Sequence, residues 1–245
     1  TINGPIKEFP IAGRDEFIRE MTALKERFPN YTSYAKSTMQ EVFSPEIMKG
    51  ALELAVVNFN TCWIENKGQF NFIVHPLPNQ AQLAPVYGIV AKDFNGDGNI
   101  DIALNGNEYG MAPYLGRYDA FNGLILKGNG NGEFKPLSIL ESGFFVSGNG
   151  KGLAEIVVNN QLLLVAAQNN GPLKLFKNNN QLKIIALFPS DKYCKIYLKN
   201  GKVRKEENSN SAGFLTQSGK YLLLNNSINY AEIIDQKGQV KLVKN

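Results

Sequence analysis

From Ala51 onward the chain is a succession of short apolar runs interrupted by asparagine and glycine, and this pattern narrows the fold more than any other feature. Apolar runs of this length bounded by turn residues read as β-strands. They fall at Leu52 to Ile64, Gln69 to Val74, Val86 to Val90, Ile100 to Leu104, Gly123 to Lys127 and Phe134 to Ile139. Further runs are Leu153 to Val158, Leu162 to Ala166 and Leu173 to Phe176. Asn and Gly between them tolerate the positive φ of tight turns. Three stretches share one layout of strand, Asn/Gly turn and second strand: Trp63 to Phe70, Leu124 to Phe134 and Leu173 to Leu182. Each reads as a hairpin, and their recurrence at roughly fifty to sixty residues is in the range of propeller blades.

The two ends follow other rules. Arg14 to Phe28 places Phe17, Met21, Leu24 and Phe28 at helical spacing, with acids at the start and bases at the end. A second helix is predicted at Tyr34 to Val42, and Ser44-Pro45-Glu46 opens a short turn that ends at Lys49-Gly50. At the far end, strands are predicted at Ile184 to Phe188, Cys194 to Leu198, Lys202 to Arg204, Tyr221 to Leu224, Ala231 to Ile234 and Val240 to Val243. The expected fold is mainly β. It has a partial blade end and helical segment over 1–50, about three propeller-type antiparallel blades over 51–182, and a small antiparallel β unit over 183–245.

Composition removes several kinds of chemistry. The 245 residues include one histidine, His75, and two cysteines, Cys62 and Cys194, so neither a two-His metal site nor a four-Cys zinc site can form. A Ser-His-Asp arrangement would have to use His75, which reads as a surface residue at a strand end. Cys62 and Cys194 either pair or stay as buried thiols, and the second is expected. No apolar run is long enough to span a bilayer. No signal peptide is recognisable, and the first residue is Thr1, so the chain reads as the C-terminal part of a longer protein. Its missing N-terminal remainder is the expected cover for open sheet edges. The stretch from residue 181 to 245 carries 11 Lys and Arg against 5 Asp and Glu. Its lysines stand singly between apolar residues, as in Lys195-Ile196-Tyr197-Leu198-Lys199, which reads as the wet face of strands rather than a nucleic-acid surface.

One segment carries chemistry. Asp93-Phe94-Asn95-Gly96-Asp97-Gly98-Asn99-Ile100-Asp101 sets side-chain oxygens at its first, third, fifth and ninth positions, and Asn99 offers a backbone carbonyl at the seventh. Such a donor set suits Ca²⁺, which takes six to eight hard oxygen ligands. Leu104 stands where an EF-hand needs an acid, and the residues after the loop alternate as a strand, so the expected site is a calcium loop between two strands. The alternative is a metal-free turn rich in Asp, Asn and Gly.

This loop, the strand Val86 to Val90 before it and the hairpins at Trp63 to Phe70 and Leu124 to Phe134 resemble the FG-GAP/VCBS repeat. The likeness covers about residues 51 to 180 and includes Gly116 to Gly123 and Ala167 to Asn170. The segment from Gly13 to Ala35 looks like an insertion found in large bacterial surface proteins of this type. Gly213 to Ser218 is similar to an ASPIC/UnbV-like C-terminal region. The resemblance implies a β-propeller with calcium held by Asp93, Asn95, Asp97, Asn99 and Asp101. Ser147 to Ala154 stands where another such loop belongs, but it has no carboxylate and carries Lys151, so no calcium is expected there. Gly128 to Gly132 is expected to be a plain turn.

The implied function is a non-enzymatic, calcium-stabilised binding or adhesion module of a secreted, periplasmic or cell-surface protein. Its partner would be a protein or glycan, met by Tyr109, Tyr114, Arg117 and Tyr118 in the Asn107 to Asp119 loop, since Tyr and Arg are enriched at interface hot spots. Against this stands a carbohydrate-active enzyme or accessory subunit. Its nearest acid pair, Glu206-Glu207, would point to opposite faces of a strand.

Overall fold

The structure, a computed structural model, describes residues 7–180, 182–209 and 213–245. Two compact units divide the chain, Thr1–Asn58 and Phe59–Asn245.

In the first unit four short helices surround a small core: α1 (Arg14–Glu20), α2 (Leu24–Arg27), α3 (Tyr31–Ala35) and α4 (Met39–Val42). The two helices read from the sequence are each broken once. Met21 leaves the helical region at φ −129°, beside the β-branched Thr22, which separates α1 from α2. Thr38 starts α4 because its hydroxyl accepts from Glu41 N while the Glu41 carboxylate accepts from Thr38 N. Asn30 caps α3 through Ser33 N. Leu24, Phe28 and Val42 are buried together, with Phe17, Met21 and Tyr34 against them.

The second unit is built of antiparallel sheets. Strands β1 (Cys62–Asn66) and β2 (Phe72–Pro76) form a two-stranded sheet. Strands β3 (Val86–Lys92), β4 (Asp101–Gly106), β5 (Leu124–Gly128) and β6 (Phe134–Pro136) follow in sequence order in one sheet. So do β7 (Gly150–Val158), β8 (Gln161–Gln168) and β9 (Lys174–Lys177) in the next. The C-terminal residues give β10 (Lys183–Ala186), β11 (Asp191–Leu198), β12 (Val203–Glu207), β13 (Tyr221–Leu224), β14 (Ile228–Asp235) and β15 (Val240–Lys244). Here β10 pairs with β13, and a four-stranded sheet runs β12-β11-β14-β15. The protein is thus mainly β, and no barrel closes among the described residues.

Period-two burial explains these strands. In β11 the side chains of Cys194, Ile196 and Leu198 are buried, while Lys195 between them is exposed. Lys195 lies on the solvated face, as expected, and Lys192 falls at a register shift of the ladder. Between the β3–β6 and β7–β9 sheets, Val90 and Ala103 pack with Leu153, Leu164 and Ala166. Cys194 is a free buried thiol, so it does not pair with Cys62; burial pushes its pKa to about 12.

Several expected elements differ. Residues 52–61 form no strand, and Leu52, Leu54 and Val57 are largely exposed. Their alternation matches a strand, but the ladder with β2 begins only at Cys62. The run expected from Gln69 begins at Phe72, because Gln69 and Phe70 adopt φ of 51° and 58° in the turn. The run expected to reach Ile139 stops at Pro136, and Ser138 caps a helical turn, α5 (Ile139–Ser142). The third expected hairpin, Leu173 to Leu182, is not one: β9 pairs back to β8, and β10 pairs with β13. Of that hairpin, Gln181 lies outside the described residues.

Candidate functional site

The segment from Asp93 to Asp101 joins β3 to β4, whose last and first residues, Lys92 and Asp101, are directly paired. It winds into a nest of side-chain-to-backbone turns. Asp93 Oδ1 accepts from Gly96 N (2.8 Å), and its Oδ2 accepts from Gly98 N (2.9 Å) and Asn225 Nδ2 (2.7 Å). Asn95 Oδ1 accepts from Asp97 N (2.8 Å), and Asp97 Oδ1 from Asn99 N (2.9 Å). Asp101 closes the loop by accepting from Phe94 N (3.1 Å) and Gly128 N (3.0 Å). Gly98 sits at φ +92°, and a Cβ there would press on Ser227 at 3.2 to 3.3 Å.

Asp93 and Asp101 are only 5 % and 1 % exposed, and neither has an ammonium or guanidinium partner among the described residues. Burial pushes the Asp101 carboxyl above its ordinary pKa against the pull of the Gly128 and Phe94 N–H groups, and Asp97 and Asp93 add to the rise. Asp97 instead lies 3.3 Å from Lys127 Nζ. Arg204 Nη1 donates to Gly98 O (2.7 Å). Among the described residues no three acidic, histidine or cysteine side chains converge as a metal cage. The five residues expected to bind calcium lie in one loop, and the side-chain oxygens of Asp93, Asn95, Asp97 and Asp101 meet N–H groups and Lys127.

A second assembly holds the loop after β4. Asn107, fully buried at φ 97°, donates from Nδ2 to Phe121 O (2.6 Å) and Gly148 O (2.9 Å), and its Oδ1 accepts from Phe121 N (3.0 Å). Glu108 and Tyr118 exchange both backbone hydrogen bonds at 2.9 Å, closing the stem. Lys151, at the start of β7, donates to Glu108 Oε2 (2.6 Å) and Asn107 O (3.0 Å) and lies over the Tyr87 ring. Tyr87 OH donates to the same carboxylate (2.7 Å), as does Gly110 N (2.6 Å). These donors, Lys151 foremost, hold Glu108 at a pKa of about 2. Lys151, read from the sequence as the residue that spoils a metal loop, is the clamp of this one.

The four residues expected to meet a partner are divided by the fold. Tyr114 and Tyr118 are exposed on the loop. Tyr109 and Arg117 are brought together, with the guanidinium 4.9 Å from the ring centre, and both line a cleft beside the β8–β9 turn. His75 stacks on its cross-strand partner Trp63 at 4.3 Å and meets Glu65 at 3.0 Å.

No protein-family model matches the chain, and a search of curated proteins returns no match.

Sequence reasoning missed one group of charges. Glu155 and Glu206 line a cavity of about 380 Å³ together with Lys92 and Cys194. Lys92 Nζ is 3.0 Å from Glu206 Oε2, and Arg204 Nε is 2.9 Å from Glu206 Oε1. Burial alone would raise the Glu206 pKa, but Lys92 and Arg204 outweigh it and hold the carboxylate ionised. Glu155 is 5 % exposed and its Oε1 has no hydrogen-bond partner. Strand parity carried the signal. Glu155 shares the inward face of β7 with Leu153, and Lys92 shares that of β3 with Gly88 and Val90. Glu207 is exposed on the face opposite Glu206, as strand geometry requires.

Proposed function

We propose that this chain is a non-catalytic binding module of the β-propeller type from a secreted or cell-surface protein. Its 107–119 loop meets a protein or glycan partner, and its 93–101 loop takes up calcium. The observation that carries the reading is the pair of buried carboxylates, Asp93 and Asp101, which have no cationic side chain beside them among the described residues. Buried charges are normally paired or bound to metal. Asp93, Asn95, Asp97 and Asp101 would hold the ion with side-chain oxygens and Asn99 with its carbonyl. Asp93 Oδ1 and both Asp101 oxygens each accept one N–H bond, and a carboxylate oxygen has two lone pairs, so these keep capacity for a cation. Uptake requires Asp97 to leave Lys127, whose half-exposed pair is worth at most about 1 kcal/mol. Bound calcium would supply positive charge that offsets three carboxylates and fixes the β3–β4 junction.

The clamp on Glu108 supports the binding half. A loop already fixed at its stem loses less entropy on docking, and Tyr114 and Tyr118 project from it at 68 % and 44 % exposure. Calcium calorimetry on the chain and on Asp97→Ala tests the ion. The expected outcome is a dissociation constant on the order of 10⁻⁴ to 10⁻³ M for the chain, little or no heat for the variant, and a melting temperature raised by calcium in the chain alone. Identical heats from both proteins would remove this loop as the site.

A further inference from the structure

Between the 107–119 loop, the segment 147–149 and the β8–β9 turn lies a cleft of about 630 Å³, within the range of small-ligand sites. Its lining is polar in a particular way. Arg117 and Lys174 reach it, and no acidic residue lines it among the described residues. Neither cation has an acidic partner there: Arg117 lies over Tyr109, and Lys174 Nζ donates to Phe145 O (3.2 Å). The remaining side chains include the amides of Asn149, Gln168 and Asn169.

Asn149 makes the cleft more than a surface dip. The residue is 4 % exposed, and its buried Oδ1 has no hydrogen-bond partner. The wall beside it is tightly fitted, because a Cβ on Gly148 would overlap Gln168 Oε1, while Gln168 Nε2 donates to Pro172 O (2.7 Å).

We infer that this cleft is the ligand site of the module and that it takes an acidic saccharide. Arg117 and Lys174 receive the carboxylate. The Asn149, Gln168 and Asn169 amides, each able to donate and accept, match neighbouring hydroxyls, and Tyr109 supplies a ring edge. An acidic peptide would share the charge but would present carbonyls and N–H groups in place of hydroxyls, and it is the competing outcome of the test. The inference rests on the binding-module reading and names its ligand class.

The test is calorimetric titration of the whole chain with a hyaluronan hexasaccharide, with neutral chitohexaose and with hexaglutamate, repeated with Arg117→Ala. Arg117 is exposed, so its loss leaves the fold intact. The expected result is binding of the hyaluronan oligomer, at least tenfold weaker binding of the neutral oligomer and of hexaglutamate, and at least a tenfold loss in Arg117→Ala. No binding of the acidic oligomer, equal binding by Arg117→Ala, or a preference for hexaglutamate would overturn the inference. Calcium titration of the same preparation separates the two readings. Calcium uptake without saccharide binding sinks the cleft alone, and saccharide binding without calcium uptake sinks the ion site alone.

Discussion

Glu155 is a carboxyl that the fold keeps out of water without a hydrogen-bond partner for Oε1. Burial pushes its pKa from 4.5 to about 7, with Lys92 pulling it down and Glu206 pushing it up. The folded state therefore prefers the protonated form. The sign follows from linkage. Below pH 4.5 both folded and unfolded chains hold the proton and the full stability is present. As pH rises to about 7 the unfolded chain ionises first and stability is lost. The difference amounts to about 3 kcal/mol as an upper figure. Glu155→Gln removes this dependence while keeping the shape. Relative to wild type, the variant should gain stability from pH 4 to pH 8 by up to about 3 kcal/mol, measured by urea denaturation at each pH. A gap that does not change with pH would show that Glu155 is already ionised in the fold.

At the scale of elements, the 107–119 loop depends on a strand from the neighbouring sheet. Lys151 of β7 reaches Glu108 and Asn107, and the Glu108–Tyr118 pair closes the stem. In Lys151→Met the Glu108 carboxyl loses the leading cause of its low pKa. Its titration midpoint, followed by NMR, should rise from about 2 toward the ordinary carboxylate range. Backbone order parameters over 109–117 should fall in the same variant. An unmoved midpoint would mean that Tyr87 OH and Gly110 N suffice. This clamp was not legible in the sequence, because it joins residues 43 positions apart and a lone lysine in a Gly-rich stretch has no local signature. The strands around it were legible. Alternation in β11 and Asn/Gly turns such as that between β5 and β6 act within a few residues, so local pattern suffices. The Leu52–Phe59 run shows the limit. Its alternation is strand-like, but pairing is a property of a neighbour, and among the described residues no strand forms a ladder with it. The 93–101 loop was legible as a turn between strands. Asn225, which binds Asp93 from 132 positions away, was not.

At the scale of the whole chain, burial is organised in separate cores. One gathers Leu24, Phe28 and Val42, all within the first unit. The others gather Leu104 and Leu126, Leu153 and Ala166, and Ile196 and Leu224, all within the second. Within the second unit, β3 and the loop after it are tied to the C-terminal strands by polar contacts: Asn225 to Asp93, Arg204 to Gly98 O and Lys92 to Glu206. Cooperative unfolding follows shared burial and shared hydrogen bonds. A polypeptide of residues 59–245 should therefore melt in one transition within a few degrees of the main transition of the full chain. A polypeptide ending at residue 182 should lose that transition, since it strips Asp93, Gly98 and Lys92 of their partners. Scanning calorimetry of the three proteins decides the matter. A shortened 59–245 chain that melts far below the parent, or a 1–182 chain that melts with it, would show that the polar ties between the sheets do not set the folding unit.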